Sequence, residues 1–208
     1  MKIGIIGATG RVGSRVMAEA KNRHHEVTAI VRDPAKLAEQ QTAVIKKDIF
    51  ALTEGDISPF DVIVNAFGAP FGQEHMHMRV AEYLIPLLRG KERPRFVVVG
   101  GAGSLAVNDK GSLLLDMPDF PPAVKPTAAA QGEVLNFLRQ ERGVNWTFIS
   151  PSALFAPGER KGTFRLGRDR LLVDDRGQSY ISMEDYAIAL VDEIENSKYI
   201  RERFTVGY

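Results

Sequence analysis

Residues 1–15 read MKIGIIGATGRVGSR, and the fold follows from how this stretch is parsed. Ile3, Gly4, Ile5 and Ile6 make a short uncharged run rich in β-branched residues, the pattern of a strand covered on both faces. Then the period changes. Val12, Val16 and Ala20 recur at helical spacing, while Arg15, Glu19 and Lys21 are left for solvent. Gly7, Gly10 and Gly13 therefore occupy a strand-to-helix turn. A helix opened right after a buried parallel strand aims unpaired backbone N–H groups at the sheet's C-terminal edge, which makes an anion site. Glycines there let the chain turn sharply, let a pyrophosphate approach the backbone and let helix pack close to strand. The spacing is Gly-x-x-Gly-x-x-Gly rather than the Gly-x-Gly-x-x-Gly of the dinucleotide fingerprint, and a tight turn can be purely structural. The strand–turn–helix context is what points to a nucleotide.

The rest of the chain repeats the alternation. Strands are expected at residues 26–32 (EVTAIVR), 43–47, 61–67, 95–99 and 145–150. Helices are expected at 34–40, with Pro34 at its start, at 75–89, broken or kinked near Pro86, and at 127–142, ended by Gly143. Alternation of this kind predicts an α/β fold, a doubly wound parallel sheet with helices on both faces. After residue 150 the pattern changes. RLLVDD (170–175) and GQSYIS (177–182) read as short strands of a small C-terminal lobe, residues 183–195 as a helix capped by Ser182, and RFTVGY as a last strand. One domain over residues 1–208 is expected, with residues 105–126 and 151–182 contributing to a substrate lobe.

Composition removes several classes. Hydrophobic content of 44%, charged content of 25% and a net charge of +1 are ordinary for a globular domain and give no bulk attraction to nucleic acid or membrane. With no cysteine, disulfides, thiolate metal sites and a cysteine nucleophile are excluded. The glycine turn interrupts the first apolar run, no signal-peptide pattern is seen, and no apolar stretch approaches a membrane span, so a cytoplasmic protein is expected.

At the end of the second strand, an acidic residue would hold a ribose 2′-hydroxyl and an arginine a 2′-phosphate. The chain offers Arg32 followed by Asp33, and Arg11 within the glycine turn. Two planar guanidiniums near one ribose favour NADPH, with NADH as the other choice, although Asp33 can instead cap the following helix and leave Arg32 merely solvated. Asp48, next to Ile49, closes the third strand where an adenine amine needs an acceptor. Ala66, Phe67 and Gly68 end the fourth strand with a backbone a cofactor can lie against, and Gly100, Gly101 and Ala102 end the fifth, where the nicotinamide half would sit.

GATGRVG, VRDPAK, VVVGGAGSL, WTFISPSALFAPGER and SYISMEDYAIALVDEIE…RFTVGY resemble the atypical short-chain dehydrogenases often called NADH-flavin reductases. Biliverdin reductase B and the NmrA-like proteins are more distant relatives. The likeness covers nearly the whole chain. It implies a Rossmann core, a pyridine nucleotide held by Gly7, Thr9, Gly10, Arg11, Val12, Gly13, Arg32, Asp48 and the Ala66–Gly68 turn, and a flavin as the other substrate. It also places Ser150, Pro151, Ser152 and Ala153 beside the nicotinamide. Where relatives often carry Glu-Arg-Thr-Gly, this chain has Glu159, Arg160, Lys161 and Gly162.

One departure bears on mechanism. Ordinary short-chain dehydrogenases use a Tyr-x-x-x-Lys pair on the helix after the fifth strand, whereas here no tyrosine lies between Tyr83 and Tyr180. Ketone reduction leaves an alkoxide that needs a positioned acid, whereas a flavin delocalises the charge and takes its proton from water. The expected function is hydride transfer from NADPH or NADH to a flavin or similar flat acceptor, by a monomer or homodimer. The alternative is a nucleotide sensor without turnover, as in the NmrA-like proteins. Ser104 is the catalytic candidate, although a serine in a glycine-rich turn is more often conformational. His75 and His77, two apart on a helix, point to different sides, so no metal is expected. The apolar loop through Leu113, Leu114, Leu115, Met117 and Phe120 either walls a planar acceptor or covers the sheet edge.

Overall fold

The computed structural model describes residues 1–38 and 41–208. β1 (Lys2–Ile6) leads into α1 (Arg11–Asn22), and β2 (Glu26–Val31) returns beside β1. β3 (Ala43–Lys46), the one-turn α2 (Glu54–Ile57), β4 (Val62–Asn65), α3 (Met76–Leu88) and β5 (Arg95–Val99) follow. α4 (Lys125–Gln140), β6 (Trp146–Ser150), β7 (Leu154–Ala156), β8 (Arg165–Gly167), β9 (Tyr180–Ser182), α5 (Met183–Asn196) and β10 (Glu202–Gly207) complete the order. The main sheet runs β3-β2-β1-β4-β5-β6-β10-β8, parallel throughout except for β8 against β10. This is an α/β fold of the Rossmann type. β2 and β4 flank β1, so strand order reverses there, and a crevice opens outside the strand ends at such a switch point.

The apolar runs of the strands serve two cores at once. Ile3, Ile5, Val62 and Val64 turn to one face, where α1 and α5 cover them with Val16, Met17, Tyr186 and Leu190. Ile6, Ile63, Phe96 and Val98 turn to the other, under Leu84 and Ile85 of α3 and Leu135 and Leu138 of α4. Period-two alternation is invisible in such strands because both phases are buried.

Some local readings change. The helix expected over residues 34–40 is a single 3-10 turn, Pro34–Lys36, capped by Asp33, after which Leu37 becomes extended and buries its side chain. Residues 39 and 40 of that expected helix lie outside the described residues. RLLVDD is not a strand. Arg170 makes one bridge to Ala106, and Asp174 closes a turn by accepting from the amides of Arg176 and Gln178. Arg165–Gly167 takes the edge position instead. α4 starts earlier than expected because Pro126 sits in its first turn, where its missing N–H costs nothing. α3 continues two residues past Pro86. β7 and β9 pair as a separate parallel ribbon. Among the described residues no helix is long and apolar enough to cross a membrane.

Candidate nucleotide-binding cleft

At the end of β1, Gly7 adopts φ +76°, and a Cβ there would lie 2.6 Å from the Ala66 carbonyl oxygen. The Gly10 amide donates to the Gly7 carbonyl at 2.9 Å. A Cβ on Gly13 would come within 2.2 Å of that same oxygen, so α1 is docked directly on the turn that precedes it. Gly10 is the N-cap of α1 and supplies no side chain, and the helix's first turn holds no acidic residue. The positive end of the helix dipole and its first amides are thus left for an external anion.

A cleft of about 1180 Å³ runs from this turn along the strand ends. That exceeds the roughly 300–1,000 Å³ usual for one drug-sized ligand. Gly7, Thr9, Gly10, Arg11 and Val12 line it at β1, Arg32, Asp33 and Lys36 after β2, and Lys47, Asp48 and Ile49 after β3. Ala66, Phe67 and Gly68 continue the wall after β4, Gly100, Gly101 and Ala102 after β5, and Pro151, Ser152 and Ala153 after β6. Two of the expected cofactor-binding residues stand off the wall. Gly13 lies beneath the turn, and Ser150 is fully buried with its hydroxyl accepting from Arg203 at 3.3 Å.

Charge is distributed unevenly along this wall. The guanidiniums of Arg11 and Arg32 have no hydrogen-bond or ion-pair partner among the described residues. Lys47, by contrast, donates to both oxygens of Asp56 at 2.6 Å, and with the hydroxyl and amide of Thr53 it holds that carboxyl down at about 2. Asp33 accepts from the Ala35 amide at 3.2 Å, and Asp48 from the Phe50 amide at 2.9 Å, so each of these wall residues caps a turn.

Ser104 is not on the wall. Its Oγ accepts from Arg203 at 3.2 Å and its carbonyl accepts from the same guanidinium, which also holds Asp169. Burial pushes the Arg203 guanidinium down, and the Asp169 carboxylate works against that shift. His75 is exposed, whereas His77 is buried with its ring edge-on to Phe67 at 5.7 Å. Of the apolar loop, Leu114 and Phe120 line the cleft. Sequence reasoning missed Phe71, Met76, Gln131, Leu154, Ser179 and Tyr180, which complete its outer end. Phe71 and Ser179 sit in irregular connections, Met76 and Gln131 on α3 and α4, and Leu154 and Tyr180 at the starts of the three-residue strands β7 and β9, so no common spacing signals them. Tyr180 turns its hydroxyl toward Gly158, off the cleft wall, and packs its ring against Tyr208. Lys161 stacks its ammonium on the other aromatic of that pair, 4.3 Å from the Tyr208 ring centre.

The model of a family described as NAD(P)H-binding matches residues 7–197, from the first glycine of the turn to the end of the last helix. The chain belongs to the NAD(P)H-binding family. It is 51% identical over 208 residues to the uncharacterized protein YwnB of Bacillus subtilis, covering 99% of this chain and 98% of that one. A Streptococcus pneumoniae protein proposed to be an NADH-flavin reductase superposes with a TM-score of 0.93 at 42% identity, over 100% of this chain and 99% of that chain. A proposed epimerase from Bacteroides thetaiotaomicron superposes at 0.89 with 39% identity, over 100% and 96%. For a member of the NAD(P)H-binding family the cleft fits its nucleotide on its own terms. Gly7 has no room for a side chain, the first turn of α1 is uncapped, and two guanidiniums beside it are unpaired among the described residues.

Proposed function

We propose that the protein carries hydride from NADPH to a flat, flavin-like acceptor. The observation that carries this reading is one continuous cleft, cationic beside an uncapped helix at one end and apolar at the other. In this reading Gly7, Thr9, Gly10 and Val12 hold the diphosphate, Arg11 and Arg32 the 2′-phosphate, and Asp48 with Ile49 the adenine. Ala66, Phe67 and Gly68 lie under the ribose, while Gly100, Gly101, Ala102, Pro151, Ser152 and Ala153 border the nicotinamide. The bound cofactor supplies a hydride to the acceptor ring, which takes a further proton from water while the nicotinamide is left oxidised. The protein's part is to hold the two rings in contact and exclude bulk water. Residues 105–126 and 151–182 form the acceptor's wall and give the sheet its substrate lobe.

Absence of a Tyr–Lys pair supports this over alcohol or sugar chemistry. α4 reads KPTAAAQGEVLNFLRQ, and the cleft's Tyr180 points its hydroxyl elsewhere. NADPH oxidation, followed by nicotinamide absorbance with free flavins as acceptors, is expected to proceed at a rate set by the protein. Tight NADPH binding without turnover on any flavin or quinone would instead mark a sensor.

A further inference from the structure

The cleft's cationic wall residues are Arg11, Arg32, Lys36 and Lys47, all at the β1–β3 end. From β2 to β6 is four strand positions, roughly 19 Å at about 4.8 Å each. At the far end the charged wall residue is Asp119, exposed and without an ion-pair partner among the described residues. The cleft wall contributed after β4, β5 and β6 also carries exposed apolar side chains: Phe71 is 78% exposed, Val124 41% and Leu154 60%. Gln131 is the polar exception on α4. It is half-buried, its carboxamide has no partner among the described residues, and Gly101 opposite leaves it room, since a Cβ there would sit 2.1 Å from its Oε1. A carboxamide presents one donor group and one acceptor side by side. It matches an edge with a carbonyl next to an N–H, and it is mismatched to a quinone, whose edge offers acceptors alone.

We infer that the outer end of the cleft selects an unphosphorylated flat ring with an amide or imide edge, and that Gln131 reads that edge. The inference rests on the hydride-transfer reading and narrows it: a phosphate tail on the ring meets Asp119 and no cation.

The test is equilibrium titration of the protein, saturated with oxidised nucleotide, using lumiflavin, FMN and menadione. Lumiflavin is expected to bind at least about fivefold tighter than FMN at low salt, with the gap closing as salt screens Asp119. Asp119→Lys removes or reverses that gap. Gln131→Leu weakens lumiflavin about tenfold, leaves menadione unchanged and keeps NADPH affinity, which also shows the variant folded. FMN binding as tightly as lumiflavin, no measurable lumiflavin binding, or loss of nucleotide rather than flavin in Gln131→Leu each overturns the inference. Selective lumiflavin binding without NADPH oxidation would sink hydride transfer and leave the subsite standing. Turnover that prefers FMN or menadione would do the reverse.

Discussion

Arg32 and Asp33 stand side by side on the cleft wall at the end of β2, and their surroundings separate them. Asp33 is occupied by the Ala35 amide, with Lys36 3.8 Å away, while Arg32 has no partner among the described residues. A charge-assisted hydrogen bond is worth about 1.5–3 kcal/mol, so Arg32→Ala is expected to weaken NADPH by about tenfold or more and NADH by less than about twofold. Equal losses for both, measured by titration, would show that the guanidinium does not meet a 2′-phosphate. His77 supplies a second residue-scale prediction. Burial pushes its imidazole below the ordinary histidine value, with the nearby Glu74 carboxylate pulling partly back, and its Nε2 is buried without a partner. The unfolded chain takes up its proton near pH 6.5, while the folded chain resists until lower pH. The stability from a neutral His77 is therefore complete above about pH 6.5 and declines as pH falls through that value. His77→Phe is expected to flatten this part of the urea-midpoint profile between about pH 7 and 5. An unchanged slope would assign the acid sensitivity to other groups.

At the scale of elements, α1 is placed by contact between its own backbone and the preceding turn. A helical Gly→Ala ordinarily gains up to about 1 kcal/mol in propensity. Gly13→Ala is expected to lose more than that, about 2 kcal/mol net or beyond, because both partners at the 2.2 Å approach are main chain and cannot yield cheaply. Gly132→Ala in α4 is the control. Its Cβ would meet the Ser104 Cβ at 3.7 Å, an ordinary contact, so a gain of about 0.5–1 kcal/mol is expected in thermal or urea unfolding. Destabilisation by both to the same extent would show that the close approach to the Gly7 carbonyl is not what sets the cost at Gly13. The same distinction explains what was legible in the sequence. Strands β1 to β6, β9 and β10 and helices α1, α3, α4 and α5 were legible because an apolar run or one helical stripe leaves a trace, whereas the short β7 and β8 were not expected. Residues 34–40 and 170–175 misread because tertiary pull decides them: Leu37 leaves the turn to reach the core, and Asp174 gathers amides into a loop. The strand-end half of the cleft was legible since glycines and charges there follow topology. The outer half was not, because Phe71, Gln131 and Leu154 reach the same wall from a loop, from α4 and from the short strand β7, for which single-sequence spacing holds no mark.

On the scale of the whole molecule, the cleft touches the ends of β1 to β6, so a ligand filling it ties together both cores and the segments after residue 150. Ligand that binds only the folded chain adds about 2.7 kcal/mol of stability at a hundred times its dissociation constant. For a chain of 208 residues each kcal/mol moves the melting midpoint by about 2–4 °C, so saturating NADPH is expected to raise it by about 5–10 °C. Charge layout sets how this rise responds to salt. In the proposed binding mode the diphosphate meets main-chain amides and a helix end, whereas the 2′-phosphate meets the exposed Arg11 and Arg32, a contact that salt screens within about 10 Å at 0.1 M. Raising ionic strength should therefore shrink the NADPH shift toward that given by NADH at equal concentration, and leave the NADH shift almost unchanged. Should both shifts fall together, the diphosphate rather than the 2′-phosphate would be the salt-sensitive contact, and the cationic end of the cleft would have no part in choosing between the two coenzymes.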